Sequence, residues 1–336
     1  FSGALKKETG LSTRDFYKAS YKELKDKWTN ELESTTLTET KELTQKSKNV
    51  VTNYTYPRTL SDSSIICIKD SYDDISKLVQ IKNGTEKELT VIGASTESYL
   101  EINGDNVSWT ELRNDGRRQE KIYSVIVTYN IKTLKKRTIT KESKYFSPMF
   151  SHNGQKIVTV CANKNLENNI KILDAKTAEV LKTIPNPKND FISYPKWIEN
   201  ENAIVYIAKR NSKLSILKYD LNSNTTLELM PWTSHSIGAL KVINNEIYFP
   251  ASFSGINNIY CLKNDESKQI KMITSVKIGA DTPEVSADNK VLYMSEQTDM
   301  GRQLTQIDIA KGISELGSNP IMIIEPINMK RFDIKT

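Results

Sequence analysis

Histidine is nearly missing from this chain. Only His152 and His235 occur in 336 residues, and cysteine is limited to Cys67, Cys161 and Cys261. That excludes a zinc site built from several histidines or paired cysteines, and an iron–sulfur cluster held by four thiolates. No Cys-x-x-Cys pair occurs, and Cys67 and Cys161 lie in short apolar runs. Buried free thiols are therefore expected. No stretch of eighteen apolar residues occurs, so no membrane-spanning helix is expected. Charge of one sign is not concentrated either. The net charge is +6, from 47 basic and 41 acidic side chains, and Lys135-Lys136-Arg137 is the densest basic run. Such a run reads as a solvated strand edge or turn. No basic stripe or module calls for nucleic acid as a partner. Glycine-rich phosphate loops and a Gly-x-Ser-x-Gly elbow are also missing.

What is present is an ordinary folded composition, 38% hydrophobic and 26% charged, with 15 tyrosines. The first residue is Phe1, and no signal peptide follows it. A processed product or an excised fragment is the expectation.

Residues 11 to about 33 differ from all that follows. Ser12 and Asp15 have the spacing of a capping box, with Asp where Glu or Gln is usual. Phe16, Tyr17, Tyr21, Leu24, Trp28 and Leu32 then recur at three- and four-residue steps. This is one face of an amphipathic helix, expected to pack on a neighbouring domain. Residues 34–50 are polar and read as a linker, so residues 1–50 form a helical lead-in and linker, with the tail of an upstream domain as one reading of it.

From about residue 54 the helical period gives way to short β-like runs separated by Asn, Asp, Gly and Ser turns. Pro57, Pro148, Pro195 and Pro283 open comparable segments, 91, 47 and 88 residues apart. A unit of roughly 44 to 47 residues divides all three intervals, with skipped positions near Leu100 and Leu240. Each unit carries a polar turn, an apolar run such as Ile157-Val158-Thr159-Val160, a second run such as Asn169-Ile170-Lys171-Ile172-Leu173, and a weaker closing run. Four short strands per unit is the blade pattern of a β-propeller, in which each blade buries its faces on its neighbours. Six units fill residues 54 to about 317. The apolar run Pro320–Pro326 either completes a blade or closes the ring with residues near Val50-Val51.

The unit resembles the TolB-like propeller repeat: a proline near the first strand, a serine-containing polar turn, then an apolar strand. Pro148-Met149-Phe150-Ser151-His152-Asn153-Gly154-Gln155-Lys156-Ile157 is the best copy, with His152 and Asn153 where the usual motif has proline and aspartate. Pro283–Val291 and Pro57–Ile65 are further copies. The resemblance implies an all-β, six-bladed TolB-like propeller with four-stranded blades over residues 51–336, after a short N-terminal α-helical segment. It also implies a periplasmic or cell-surface location in a bacterium. Residues Leu5–Trp28, centred on Thr9-Gly10-Leu11-Ser12, resemble the end of a gluzincin-type peptidase domain of larger bacterial surface proteins. No His-Glu-x-x-His occurs in the chain. By that likeness a catalytic domain would lie outside it.

Candidates for chemistry are thin. His152 falls in a turn of the repeat, and His235 lies in a loop between blades. Ser234 beside His235 does not make a triad without an orienting acid. The acidic loop Asp70, Asp73 and Asp74 reads as a solvated turn. Catalytic, metal and cofactor residues are therefore assigned to none. Blade order places the loops between blades and the loops between second and third strands on one face. Arg113, Arg117, Arg118, Tyr145, Trp232 and His235 on that face form the candidate interaction surface, since aromatics and arginines are good anchors. Trp109 reads as core.

The expected function is a non-catalytic binding or scaffolding module of a larger bacterial envelope protein. Its partner would be a protein, a peptide or an adjacent domain of the same polypeptide. The alternatives are an accessory, substrate-gating domain of a peptidase, or a propeller hydrolase or lyase. Polar side chains on the axis discriminate: a convergent charged cluster favours an enzyme or small-ligand site, and an unremarkable channel favours a scaffold.

Overall fold

The computed structural model describes residues 2–118, 120–198 and 200–316. The chain divides into two compact units, Phe1–Leu37 and Thr38–Thr336. The first holds α1 (Ser2–Thr9) and α2 (Thr13–Glu33). Ser12 caps α2 as its spacing with Asp15 predicts: the Asp15 amide donates to Ser12 Oγ at 3.2 Å, and the Ser12 hydroxyl donates to the Asp15 carboxylate at 2.6 Å. On α2 the side chains of the apolar stripe include Tyr17, 71% exposed, and Trp28, 56% exposed.

The second unit begins with β1 (Lys41–Glu42). Blade 1 is β2 (Thr52–Thr59), β3 (Ile65–Ser71), β4 (Lys77–Lys82) and β5 (Thr85–Val91). Blade 2 is β6 (Glu101–Asn103), β7 (Asn106–Asn114), β8 (Ile122–Asn130) and β9 (Lys135–Thr138). Blade 3 is β10 (Tyr145–Phe150), β11 (Lys156–Ala162), β12 (Asn168–Asp174) and β13 (Val180–Ile184). Blade 4 is β14 (Phe191–Trp197), β15 (Ala203–Arg210), β16 (Lys213–Asp220) and β17 (Thr226–Glu228). Blade 5 is β18 (Lys241–Ile243), β19 (Glu246–Ala251), β20 (Asn258–Lys263) and β21 (Ile270–Met272). Blade 6 is β22 (Ala280–Val285), β23 (Val291–Thr298) and β24 (Gly301–Asp308), and its fourth, outer strand is β1. A short helix, α3 (Ile309–Leu316), follows.

The ring thus closes through residues 41–42, inside the stretch that reads as a linker and upstream of Val50-Val51. Lys41 and Glu42 pair with Gln306 and Thr305. The run 320–326 lies outside the described residues. Thr44 Oγ donates to Gln303 Oε1 at 2.9 Å and accepts from the Leu304 amide at 2.9 Å. Lys46 pairs with Asp299, and Lys311 pairs with Glu39 at 2.6 Å.

Each interface between adjacent blades holds its own apolar cluster, as the propeller arrangement requires. They are unequal. The blade 4–5 cluster has fifteen buried residues, the blade 6–1 cluster six, and the blade 2–3 cluster only Ile126, Ile157 and Leu173. Trp109 and all three free cysteines are buried, and Lys135-Lys136-Arg137 lies on the exposed outer strand β9, as the sequence predicts.

Candidate functional site

The repeat's prolines mark a device on the innermost strands. Pro57, Pro148, Pro195 and Pro283 each sit at a β-bulge where the pairing with the second strand slips. The residue before each proline, Tyr56, Ser147, Tyr194 or Thr282, has φ near +50°. Leu100 and Leu240 hold the equivalent places in blades 2 and 5, whose inner strands are shorter and carry no such slip.

The residues after these six positions are Arg58, Glu101, Met149, Lys196, Lys241 and Glu284, in blade order. Met149 packs against the blade 3–4 apolar cluster. The other five are ionisable, and they meet at the axis. Arg58 holds Glu101 with two bonds, Nη2 to Oε1 at 2.9 Å and Nε to Oε2 at 3.2 Å. Its Nη1 lies 3.5 Å from Glu284. Lys241 donates to Glu284 at 2.9 Å, and Lys196 reaches across the axis to pair with Glu101. Arg58 and Lys196 are 1% exposed and the two glutamates 3%. Burial of such charges is costly unless each is paired, and here each is.

A tier of tyrosines lies one step nearer the loop-rich face. The Tyr56 and Tyr99 ring centres are 5.7 Å apart, and those of Tyr99 and Tyr194 5.8 Å. The Lys196 ammonium sits 4.9 Å over the Tyr99 ring and donates to its hydroxyl at 3.0 Å. Burial pushes the Tyr56, Tyr99 and Tyr194 phenols up. Burial, with Arg58 and Lys241 close by, pulls the Lys196 ammonium well below its ordinary value. Glu97, at the edge of this tier, is raised by burial although the Ser147 amide and hydroxyl both donate to it.

Sequence reasoning found the prolines and both skipped positions but not the axial charges. The signal was adjacent: the residue one place beyond each marked position. Tyr99 and Tyr194 belong to the axial tier.

The predicted face residues fall in two sectors. Arg113 is the last residue but one of β7 and pairs inward with Glu111. Arg117 and Arg118 are exposed on the loop after it, where their amides donate to Asp115 Oδ1 at 2.9 and 3.1 Å. Tyr145 is half-buried at the start of β10. In blade 4, Arg210 stacks on Trp232 at 4.4 Å while also bonding Asp190 at 2.7 Å, and Trp232 Nε1 donates to Glu228 at 2.9 Å. His235 packs edge-on against Phe253 at 5.5 Å. The structure does not bring the two sectors together into one constellation. His152 lies in an exposed turn on the opposite face, 3.4 Å from Glu201. Among the described residues, no group of three or more His, Cys, Asp or Glu is placed to hold a metal ion, and no helix is long and apolar enough to cross a membrane.

Exposed apolar side chains are distributed unevenly. From Thr38 onward twelve large ones are exposed among the described residues. Seven of them, Tyr72, Ile75, Ile122, Leu166, Phe191, Ile256 and Ile278, lie in loops or at strand ends on the face of the inter-blade loops. Only Leu134 lies in a turn of the opposite face; Val91, Val180, Leu181 and Leu227 are on outer strands.

No protein-family model matches the sequence, and no curated protein is similar to it. Solved structures do match. The β-propeller domain of the Trilobed protease from Pyrococcus furiosus is 14% identical with a TM-score of 0.50, over 77% of this chain and 98% of that one. An oligogalacturonate lyase from Vibrio parahaemolyticus is 12% identical with a TM-score of 0.51, over 82% and 97%. A putative TolB from Agrobacterium tumefaciens is 13% identical with a TM-score of 0.52, over 68% and 82%. Likeness at this identity speaks for architecture alone. The chain is a six-bladed propeller that resembles TolB-like structures.

Proposed function

We propose that the chain is a non-catalytic binding or scaffolding module of a larger bacterial envelope protein, periplasmic or cell-surface, offering its loop-rich face to a protein, a peptide or an adjacent domain. The observation that carries this is the gathering of exposed apolar side chains on that face. Exposed apolar surface concentrated on one side of a molecule is what an interaction face requires. The location follows from the TolB-like resemblance.

The axial cluster supports a second reading. Its charges converge as an enzyme or small-ligand site requires, and the similar structures include a lyase and a propeller domain of a protease. Access counts against it: the charges are engaged with one another, and all but Lys241 are almost wholly buried.

The test is site-specific photo-crosslinking in the native host. A crosslinker at Phe191 or Ile256 is expected to give discrete adducts to a protein or to another domain of the same polypeptide. The same group at Leu134, on the opposite face, is expected to give none. Equal labelling from both faces would count against the proposal.

A further inference from the structure

The thinnest blade interface opens into a groove. Between blades 2 and 3 the buried apolar cluster has only three residues, and beside it lies a cleft of about 880 Å³. Its floor is apolar, with Ile122, Ile139, Tyr145 and Cys161. Its rim is basic: Lys121, Lys141, Lys144 and Lys164, against Glu142 as the one acidic lining residue. All four lysines are exposed. Lys121 lies 3.6 Å from Asp115, while Lys141, Lys144 and Lys164 make no ion pair among the described residues. Arg117 and Arg118 extend the same charge from the neighbouring loop.

We propose that this groove binds an extended, acidic segment of a protein partner. Successive side chains of an extended chain point to opposite sides. Alternation of acidic and apolar residues would set carboxylates on the lysine rim and apolar groups on the floor. The net positive rim supplies charge complementarity, which governs partner choice and encounter rate. Ile122 joins the groove to the loop face. The inference rests on the reading of that face as a protein-binding surface, and it names one site and one ligand chemistry there.

The probe is a short fluorescein-labelled peptide of alternating glutamate and leucine, followed by anisotropy with the whole chain. Lys144→Glu/Lys164→Glu is expected to weaken binding about tenfold or more, and the neutral pair Lys144→Gln/Lys164→Gln by less. Lys156→Glu, on the opposite face, is expected to change nothing. Binding should weaken with added salt, and hydrogen exchange should slow at residues 122–125 and 139–145. Equal binding by wild type and the Glu pair would overturn the proposal. So would equal binding of a peptide with lysine in place of glutamate. A single-stranded oligonucleotide that competes as well as the peptide would overturn the peptide assignment. If the groove fails while Phe191 still crosslinks to a partner, only this inference is lost; if both fail, the binding reading falls with it.

Discussion

A side chain one place beyond a strained residue decides what fills the axis. Tyr56, Ser147, Tyr194 and Thr282 hold a left-handed backbone that costs a non-glycine residue about 1–2 kcal/mol. The bulges at Pro57, Pro195 and Pro283 set Arg58, Lys196 and Glu284 in the axial charge cluster. Glu111 shows the same economy of placement between blades 1 and 2. It is buried, yet accepts from the Gly93 amide at 2.8 Å and from Trp109 Nε1 at 2.9 Å, and it pairs with Lys136 at 2.7 Å and with Arg113. Gly93 allows that approach, since a Cβ there would stand 2.8 Å from Glu111 Cδ. Burial raises the Glu111 carboxyl, but the bonds from Lys136, Gly93, Trp109 and Arg113 together bring it to about 2 from an ordinary 4.5. A depressed carboxyl stabilises the fold above its ordinary value and loses that contribution as pH falls toward about 2. Glu111→Gln keeps an acceptor but loses both ion pairs. Lys136 and Arg113 are partly solvated, which limits the effect. The variant is expected to lose about 1–3 kcal/mol at neutral pH. The gap should narrow as pH falls from about 4.5 toward about 2, read from urea midpoints across pH. A gap constant with pH would show that the charge on Glu111 does not contribute.

At the scale of elements, legibility followed burial. Runs such as Ile157–Val160 and Ile204–Ile207 are buried strands and carry their pattern in the sequence. The repeat gave Leu100 and Leu240 the right phase even though both lack the proline. The closing strand was not legible, for a physical reason. Lys41 and Glu42 are both exposed on an outer edge, so no apolar alternation marks them. The axial charges were hidden differently: three ionisable residues after a proline and two after Leu100 and Leu240 read as surface until five blades turn them inward. The candidate face residues were legible as polar loops, but which of them share a sector depends on blade curvature. The clasp depends on side chains more than on its two-residue ladder. Thr44→Val keeps the shape but leaves Gln303 Oε1 and the Leu304 amide without the bonds that Thr44 gives them. The expected cost is about 1–3 kcal/mol, because the orphaned groups are buried. Hydrogen exchange at Leu304 should speed up while exchange at Val158, in the distant blade 3, is unchanged outside global unfolding. Unaltered exchange at Leu304 would remove Thr44 from the clasp.

For the whole molecule the consequence of a short clasp is a ring with one preferred place to open. Five blades are made of contiguous chain, whereas blade 6 borrows its outer strand from residues more than 260 positions away. The blade 6–1 interface also has a modest apolar cluster of six buried residues, supported by Gly301, whose φ of +104° and contact with the Thr52 carbonyl leave no space for a Cβ. If the seam parts on the way to the unfolding transition state, holding it shut must slow unfolding. Glu42 and Thr305 are register partners, so Glu42→Cys with Thr305→Cys allows a covalent staple. The equilibrium gain comes mainly from restricting the unfolded chain, up to about 5 kcal/mol for so long a loop, and it is expected wherever such a loop is closed. The unfolding rate carries the separate information. Asn169→Cys provides the control, since it faces the native Cys161 across one hairpin of blade 3 and closes a short loop away from the seam. The seam staple is expected to slow unfolding in denaturant by about tenfold or more, with the wild-type rate restored on reduction. The blade 3 staple is expected to leave the rate nearly unchanged. A seam staple that raises the midpoint without slowing unfolding would show that the ring first opens elsewhere, and the thin blade 2–3 interface would then be the next place to hold.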